Sequence, residues 1–331
     1  MCNWRLGIKH SPSKRAVFMS DLETFNQHRS LLFAIAYRML GTVTDAEDMV
    51  QETFLRWHQT AQTTVKSAKT YLATITTRLC IDRLRSAHVQ REKYVGTWLP
   101  EPIVTQQTAD PVDQLELADS LSMAFLVVLE RLSPIERAVF LLREVFDYDY
   151  DEIAQIVGKS QANCRQIFKR SRQHISDRRP RFPVSDRQQE EITAQFVKAS
   201  TQGNLQGLLA LLAKDVTYWS DGGGKVVAAL KPLQGAMKVG KFLLALRSKW
   251  LSTSISQIAG INGQPGIILF VNDRIHSVTT FEIFDGYIQS VYTIRNPDKL
   301  KRIAEKLNCQ SEMNPKPMSS NAQNNFTDLA T

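Results

Sequence analysis

Cysteine is scarce in this chain: four in 331 residues, Cys2, Cys80, Cys164 and Cys309, with no CxxC pair and no histidine nearby at ligand spacing. That excludes a zinc knuckle and a disulfide framework, and it suits a reducing cytoplasm in which Cys80 and Cys164 are small buried apolar residues. Long apolar runs are missing too, so no segment is expected to cross a bilayer, and the N-terminus lacks the charged-then-apolar order of a signal peptide. Gly222, Gly223 and Gly224 stand together, but no GK[ST] follows at Walker spacing, which excludes a phosphate-cradling loop. These absences lead to the expectation of a cytoplasmic protein with no membrane partner, no metal and no cofactor.

What is present is ordinary in amount and uneven in placement. The hydrophobic fraction is 43%, and the length fits two or three compact domains. A net charge of +8 and a pI of about 9.3 favour an anionic partner. Between Lys159 and Arg181 stand eight Lys or Arg and one acid, whereas acids cluster around Asp45, Glu47 and Asp48. Opposite charges in separate segments imply separate partners.

The basic segment carries the sharpest pattern. Asp151 to Ile175 reads as two short helices with a tight turn, Ala154 and Gly158 being the small residues that allow close crossing. Ile153, Val157, Cys164 and Ile167 supply the apolar seam. Gly158 can take the positive φ that ends the first helix, and Ser160 can cap the second. Gln161, Asn163, Arg165, Gln166, Lys169 and Arg170 then project away from the seam. Amides and guanidiniums pair with base edges in a major groove, and Lys or Arg neutralise phosphates. A helix-turn-helix DNA reader and an ordinary helical hairpin with a solvated basic face both fit this spacing.

Upstream, residues 1–18 show no periodicity, and Met19 is an alternative start. Leu22 to Leu40 has helical spacing, with Gly41 as its stop and Thr44 as the cap of a second helix from about Asp45 to His58. Its exposed Asp45, Glu47, Asp48, Gln51 and Glu52 serve either as partners for the helix dipole or as an interface. A polar loop containing Lys66 leads into a helix from Lys69 to about Glu92. There Lys69, Tyr71, Arg78, Arg83, Arg85 and Arg91 suit a single nucleic-acid strand, through stacking and phosphate contact, and Asp82 reads as a structural partner for one of the arginines. WLPEP, Trp98 to Pro102, is an extended linker with one apolar anchor. Trp98 is placed there either for simple packing or for a regulatory contact. Asp113 to Arg131 is amphipathic, and Ser133-Pro134-Ile135-Glu136 has the cap, first-turn proline and third-position acid of a helix start.

Beyond Pro183 the text changes. Asp186 to Thr201, Leu205 to Ala213 and Gly235 to Trp250 read as helices. Val216 to Ser220, Val226 to Leu230, Ile255 to Ile261, Gly266 to Val271, Arg274 to Phe284 and Tyr287 to Ile294 read as strands, with Asp285-Gly286 as a hairpin turn. An α+β cone is the expected shape. Past Asn308 the polar, Asn- and Ser-rich text is expected to be disordered.

In this order the pieces resemble a bacterial extracytoplasmic-function sigma factor of the sigma-70 family. The resemblance rests on YRMLGTVTDAEDMVQETFLRW (Tyr37 to Trp57), YLATITTRLCIDRLR (Tyr71 to Arg85) and the segment from Leu129 to Arg172. It implies a region 2 domain over 19–94, a linker over 95–112 and a region 4 domain over 113–180. It also implies core RNA polymerase, through its clamp and flap surfaces, and promoter DNA as partners. Asp45, Glu47, Asp48, Gln51 and Glu52 would face the clamp, the stretch from Lys66 to Arg85 would melt and read the −10 element, and Ser160 to Arg170 would read the −35 element.

The remainder, 185–300 followed by a tail over 309–331, resembles a fused SnoaL-like domain. WLPEP, DGGGK (Asp221 to Lys225) and NPDKL (Asn296 to Leu300) look like the signatures of the sigma subgroup that carries it. The resemblance implies regulation in cis, with Trp98, Pro100, Glu101, Asp221, Gly222, Gly223, Gly224, Lys225, Asn296, Pro297, Asp298 and Lys299 at the contact. Lys225 or Lys299 is expected to pair with Glu101 in an exposed ion pair, and the domain either binds a small apolar molecule or serves as a spacer. A rival reading makes it an isomerase or hydrolase using Tyr218, Trp219, Asp221, His276 and Glu282. A repressor built on the helix-turn-helix alone leaves the first half unexplained.

Overall fold

The computed structural model describes residues 12–60, 65–91, 94–105, 121–176, 185–248 and 254–313. The first unit is three helices, α1 (Pro12–Leu40), α2 (Val43–His58) and α3 (Ala68–Arg91). Residues 12–18, expected to be irregular, are thus helical, while 1–11 lie outside the described residues. Gly41 ends α1 with φ +73. The cap of α2 is Thr42, not Thr44, and its side chain donates to Asp45 Oδ2 at 2.6 Å rather than to a backbone group. The first amide of the helix, Val43 N–H, is satisfied from the linker by Glu101 Oε2 at 2.8 Å.

The second unit contains α4 (Met123–Leu129), α5 (Pro134–Glu144), α6 (Tyr150–Val157) and α7 (Gln161–Ser176). The first part of the amphipathic stretch expected from Asp113, residues 113–120, lies outside the described residues. Ser133 and Glu136 form a reciprocal capping box at the start of α5, as their spacing predicts. The two helical units share one apolar core: Ile35, Met39, Leu40 and Cys80 from the first pack with Phe140, Leu141, Ile153 and Cys164 from the second. Arg137, 2% exposed, crosses the join, donating to Met39 O at 2.7 Å and pairing with Glu130 at 2.8 Å.

The third unit runs α8 (Asp186–Thr201), α9 (Leu205–Leu211), β1 (Leu212–Asp221), β2 (Leu233–Gln234), α10 (Ala236–Ser248), β3 (Ser254–Ile261), β4 (Gln264–Val271), β5 (Arg274–Phe284), β6 (Tyr287–Ile294) and α11 (Pro297–Met313). Its six strands form one sheet in the order β2-β1-β6-β5-β4-β3, with β1 and β6 parallel and the other pairs antiparallel. β2 and β3 are opposite edges, so the sheet is open and the expected closed cone is not observed. The strand expected over Val226 to Leu230 is a loop, and the edge pairing moves to Leu233–Gln234. Asp285 and Gly286 turn the β5–β6 hairpin with φ +51 and +77, as expected. α11 runs past Asn308 to Met313, so the tail is helical at its start, and 314–331 lie outside the described residues.

Both faces of this sheet are covered, which is why β4 reads as the unbroken apolar run GIILFV. Ile267 faces α8 and α10 together with Val291, while Ile268 and Phe270 face the other way, beside Tyr292 and Ile294. Successive residues point to opposite faces, so two cores demand apolar residues at every position. The second core includes Leu99 and Val104 of the linker and Met123 of α4. At Leu99 and Val104 the linker is therefore buried between the sheet and the helical units.

Candidate functional site

The turn between α6 and α7 is built as its residues require. Gly158 caps α6 at φ +68, in the left-handed region, and Ser160 Oγ accepts from Asn163 N–H at 3.3 Å. Ile153, Cys164 and Ile167 are buried as expected, Val157 packs half-buried against the same core, and Ile156 joins them. On α7, Arg165, Gln166, Lys169 and Arg170 are exposed and Gln161 and Asn163 half-buried. Arg165 lies over the Tyr150 ring at 5.1 Å, and Gln161 donates to Asp151 at 2.9 Å, so the start of the helix is held in place by neutral and acidic partners on α6. The result is an exposed basic face on α7.

The basic residues of the first unit are distributed differently. Lys66 is exposed, whereas Lys69 sits over the Tyr148 ring at 5.4 Å. Tyr71 is half-buried against Trp57, its hydroxyl 3.0 Å from Thr60. Arg78 donates to Ile156 O at 2.9 Å and Gln155 O at 2.8 Å, occupying carbonyls at the end of α6 that have no partner within that helix. Arg83 pairs with Asp45 at 2.6 Å, and Arg85 with Asp82 at 3.3 Å as the sequence suggested. In this conformation α3 is turned toward the helix-turn-helix.

On α2, Asp48 and the neutral Gln51 are exposed, and Glu52 pairs with Arg56 at 2.9 Å. Glu47 pairs instead with Arg302 of α11 at 2.6 Å, and that guanidinium holds the Glu47 carboxyl below its usual range. The C-terminal unit thus covers part of the acidic face.

WLPEP, DGGGK and NPDKL converge on one buried carboxylate. Asp221, 0% exposed at the end of β1, accepts from Leu99 N–H at 2.9 Å, Tyr94 Oη at 2.6 Å, Gly223 N–H at 3.0 Å and Lys299 Nζ at 2.7 Å. Its backbone carbonyl accepts from Arg295 and Asn296. Burial and the neighbouring carboxylate push the Tyr94 phenol well above its ordinary pKa, so it stays a donor. Asn296 donates to the Tyr94 hydroxyl at 2.9 Å and fits only because residue 223 is glycine: a Cβ there would lie 2.3 Å from Asn296 Nδ2. Gly222 and Gly224 complete the turn. Pro297 opens α11, and Lys299 also donates to Leu99 O and lies 4.3 Å from the Trp98 ring centroid.

The expected partner for these lysines was Glu101, and the structure corrects this. Lys225 pairs with Asp298 at 2.6 Å on the surface, Lys299 with Asp221, and Glu101 is 4% exposed between Pro100 and Pro102, capping α2. Burial raises the Glu101 pKa, the opposite of what an exposed ion pair would do.

Three contributors lay outside the sequence reading. Tyr37 donates to Glu101 O at 2.6 Å and accepts from Asn262 Nδ2 at 2.8 Å. Asn262, in the β3–β4 turn, exchanges bonds with Ile103 on both sides, at 3.0 and 2.8 Å, and Val104 bridges to Ile261. Tyr94 is the third. Asn262-Gly263 is a turn signal of the same kind as Asp285-Gly286, and Asn262 takes φ +52.

The residues of the rival catalytic reading do not meet. Tyr218 and His276 line a cavity on the α8–α10 side, whereas Trp219 packs into the linker-side core and Asp221 is held by the linker. Glu282 accepts from Ser290 at 2.8 Å and Tyr292 at 3.3 Å. Among the described residues no helix is long and apolar enough to cross a membrane, and no cluster of His, Cys, Asp or Glu could hold a metal.

Two family models match, Sigma-70 region 2 over residues 24–89 and Sigma-70 region 4 over 122–175. The chain is 35% identical over 293 residues to the ECF RNA polymerase sigma factor SigJ of Mycobacterium tuberculosis, spanning 85% of this chain and 92% of that one. It is 32% identical over 282 residues to the probable ECF RNA polymerase sigma factor SigI of the same species, spanning 85% and 94%. The crystal structure of M. tuberculosis SigJ superimposes with a TM-score of 0.68 at 33% identity, over 86% of this chain and 98% of that one.

Proposed function

The chain belongs to the extracytoplasmic-function RNA polymerase sigma factors of the sigma-70 family, with an extra C-terminal domain, and from that premise we propose that this domain controls promoter engagement in cis by gripping the linker. Core polymerase binding and promoter recognition reside in the two helical units; the protein is a transcription factor, not an enzyme. In the proposed division of labour, Ser160, Gln161, Asn163, Arg165, Gln166, Lys169 and Arg170 read the −35 element. Lys66, Lys69, Tyr71, Arg78, Arg83 and Arg85 act at the −10 element, and Asp45, Glu47, Asp48, Gln51 and Glu52 face the polymerase clamp. Residues 19–94, 113–180 and 185–300 are the corresponding domains, the last taken as SnoaL-like from its order of helices and strands.

The observation that carries the regulatory reading is the buried Asp221, which binds Leu99, Tyr94 and Lys299 at once. A −10 reader and a −35 reader engage one promoter only when their separation matches the DNA, so a domain that fixes the linker sets their effective concentration on it. The shared core and the Arg78 contact to α6 support a closed resting state, in which α3 faces α6 rather than DNA. Run-off transcription with purified core enzyme tests the proposal. Initiation by the full chain, with a different yield once Lys299→Met loosens the grip, is expected. Identical yields from the two would remove the regulatory reading, and no initiation from any promoter of the organism's own genome would remove the assignment of DNA-reading residues as well.

A further inference from the structure

The C-terminal domain has a cavity of about 110 Å³ between α8, α10 and the sheet, remote from the promoter-reading faces. Its walls are apolar, with Phe196, Tyr218, Leu243 and Ile267 among them, yet Arg247 and Arg295 both line it. Among the described residues neither guanidinium has a carboxylate partner. Arg247 donates to the hydroxyls of Ser256 at 2.9 Å and Thr201 at 3.4 Å, while Arg295 donates to Val227 O and to His276 Nε2. Because a guanidinium can only donate, His276 accepts at Nε2 and carries its proton on Nδ1. The Nε of each arginine is buried with no hydrogen-bond partner. Burial lowers the pKa of both arginines, and burial together with Arg295 lowers that of His276, so the imidazole is neutral and the cavity's charge is that of the two guanidiniums.

We propose that this cavity is a binding site for a small organic carboxylate with an apolar body, the carboxylate answering Arg247 and Arg295 and the body filling the space between Phe196, Tyr218 and Ile267. Two half-buried guanidiniums with no carboxylate partner among the described residues, each with a buried Nε–H that makes no hydrogen bond, are costly, and an anion that also brings N–H acceptors removes that cost. An inorganic anion would leave the apolar walls unfilled, and a neutral apolar molecule would leave the two Nε–H groups unpaired. An enclosed apolar cavity of about 150 Å³ takes up benzene, so this one, at about 110 Å³ but open to solvent on one side, takes at most a single ring or a short chain. Arg295 adjoins Asn296, and its backbone N–H bonds to Asp221 O at 2.7 Å, so an occupant would hold a residue that is itself part of the linker grip. This deepens the reading above by naming the chemistry the domain responds to, and it rests on that reading only for its regulatory consequence.

Titration calorimetry on the full chain with benzoate, benzamide and acetate tests the site without reference to transcription. Benzoate is expected to bind, with benzamide and acetate each at least about tenfold weaker, as for loss of one charge-assisted hydrogen bond or of the ring. Arg295→Gln and Arg247→Gln should each weaken benzoate about ten- to hundredfold, with Arg247→Lys recovering part of the loss. Arg247 sits near the end of α10 and is only half-buried, so its variants remain informative if Arg295→Gln does not fold. Equal affinity for benzoate and benzamide, undiminished affinity in the arginine variants, or no benzoate binding at all would each overturn the proposal, while leaving the linker grip to be judged by run-off transcription.

Discussion

Lys299 and Asp221 form an ion pair of 2.7 Å that is almost wholly withdrawn from water, with side-chain exposures of 8% and 0%. The pair joins the end of β1 to the first turn of α11, and the linker passes through it, because Leu99 bonds to both residues. Removing one partner of a buried pair leaves the other charge uncompensated, at a cost of about 3–5 kcal/mol. Lys299→Met should fall at the low end, since Asp221 keeps three other donors. Asp221→Asn with Lys299→Met should restore part of the loss, and thermal melts of the single and double variants measure it as a coupling energy.

Arg302 and Asp48 give opposite predictions for core polymerase. If α2 faces a basic clamp surface as proposed, Arg302→Ala should expose the Glu47 carboxylate and tighten binding, whereas Asp48→Lys should weaken it by placing a like charge there. The Glu47–Arg302 pair is more than a third exposed on both sides, so breaking it should change stability by under about 1 kcal/mol. Co-purification with core enzyme separates the two; unchanged affinity in both variants would return these acids to being partners of the helix dipole.

Much of this was legible in the residues because it depends on local order. Ser133 with Glu136, Gly158 before Ser160, and Asp285-Gly286 each specify their turn or cap within four residues, and all three formed as expected. Pairings between distant segments were not legible. DGGGK and NPDKL could be seen to belong with WLPEP, but charge alone suggested Lys299 with Glu101, and only the fold shows that Asp221 lies nearer. Thr44 looked like a cap because it precedes Asp45; the helix starts instead at Val43, whose N–H is taken by Glu101, 58 residues further on. The sheet's openness was equally hidden, since strand text does not say whether its edges meet.

The proposed DNA-reading role of α7 makes a prediction independent of the linker. Arg165→Ala or Lys169→Ala should cost about 1–3 kcal/mol and relax one promoter position if the side chain reads a base, or weaken all sequences alike and lower the salt slope by about one if it meets a phosphate. Arg165 already stacks on Tyr150, so part of its loss should appear in the melting temperature, whereas Lys169 is exposed and should leave it unchanged. Promoter binding at several salt concentrations distinguishes these outcomes, and wild-type behaviour of both variants would mean that another face of α7 meets DNA.

Truncation tests whether the closed arrangement depends on the third domain. Ending the chain after Arg295 removes Asn296 and Lys299 from the linker, but it also strips Leu300 and Ile303 from the core against β5, so loss of regulation would be mixed with loss of fold. Asn296→Ala is the matched control, since it gives up only the bonds to Tyr94 and Asp298. Ending after Pro183 removes the sheet, and with it the partners of Leu99, Val104 and Asn262's contacts to Ile103 and Tyr37. The two helical units would then be held by their shared core, by Arg137 and by side-chain contacts such as that of Arg78 to α6. If the third domain sets their separation, the short truncation and Asn296→Ala should both raise run-off transcription. The long truncation should show faster hydrogen exchange at the α1–α5 join than the full chain does. Unaltered exchange there would mean that the helical units close on each other without the domain, through the contacts of Met39 and Arg137.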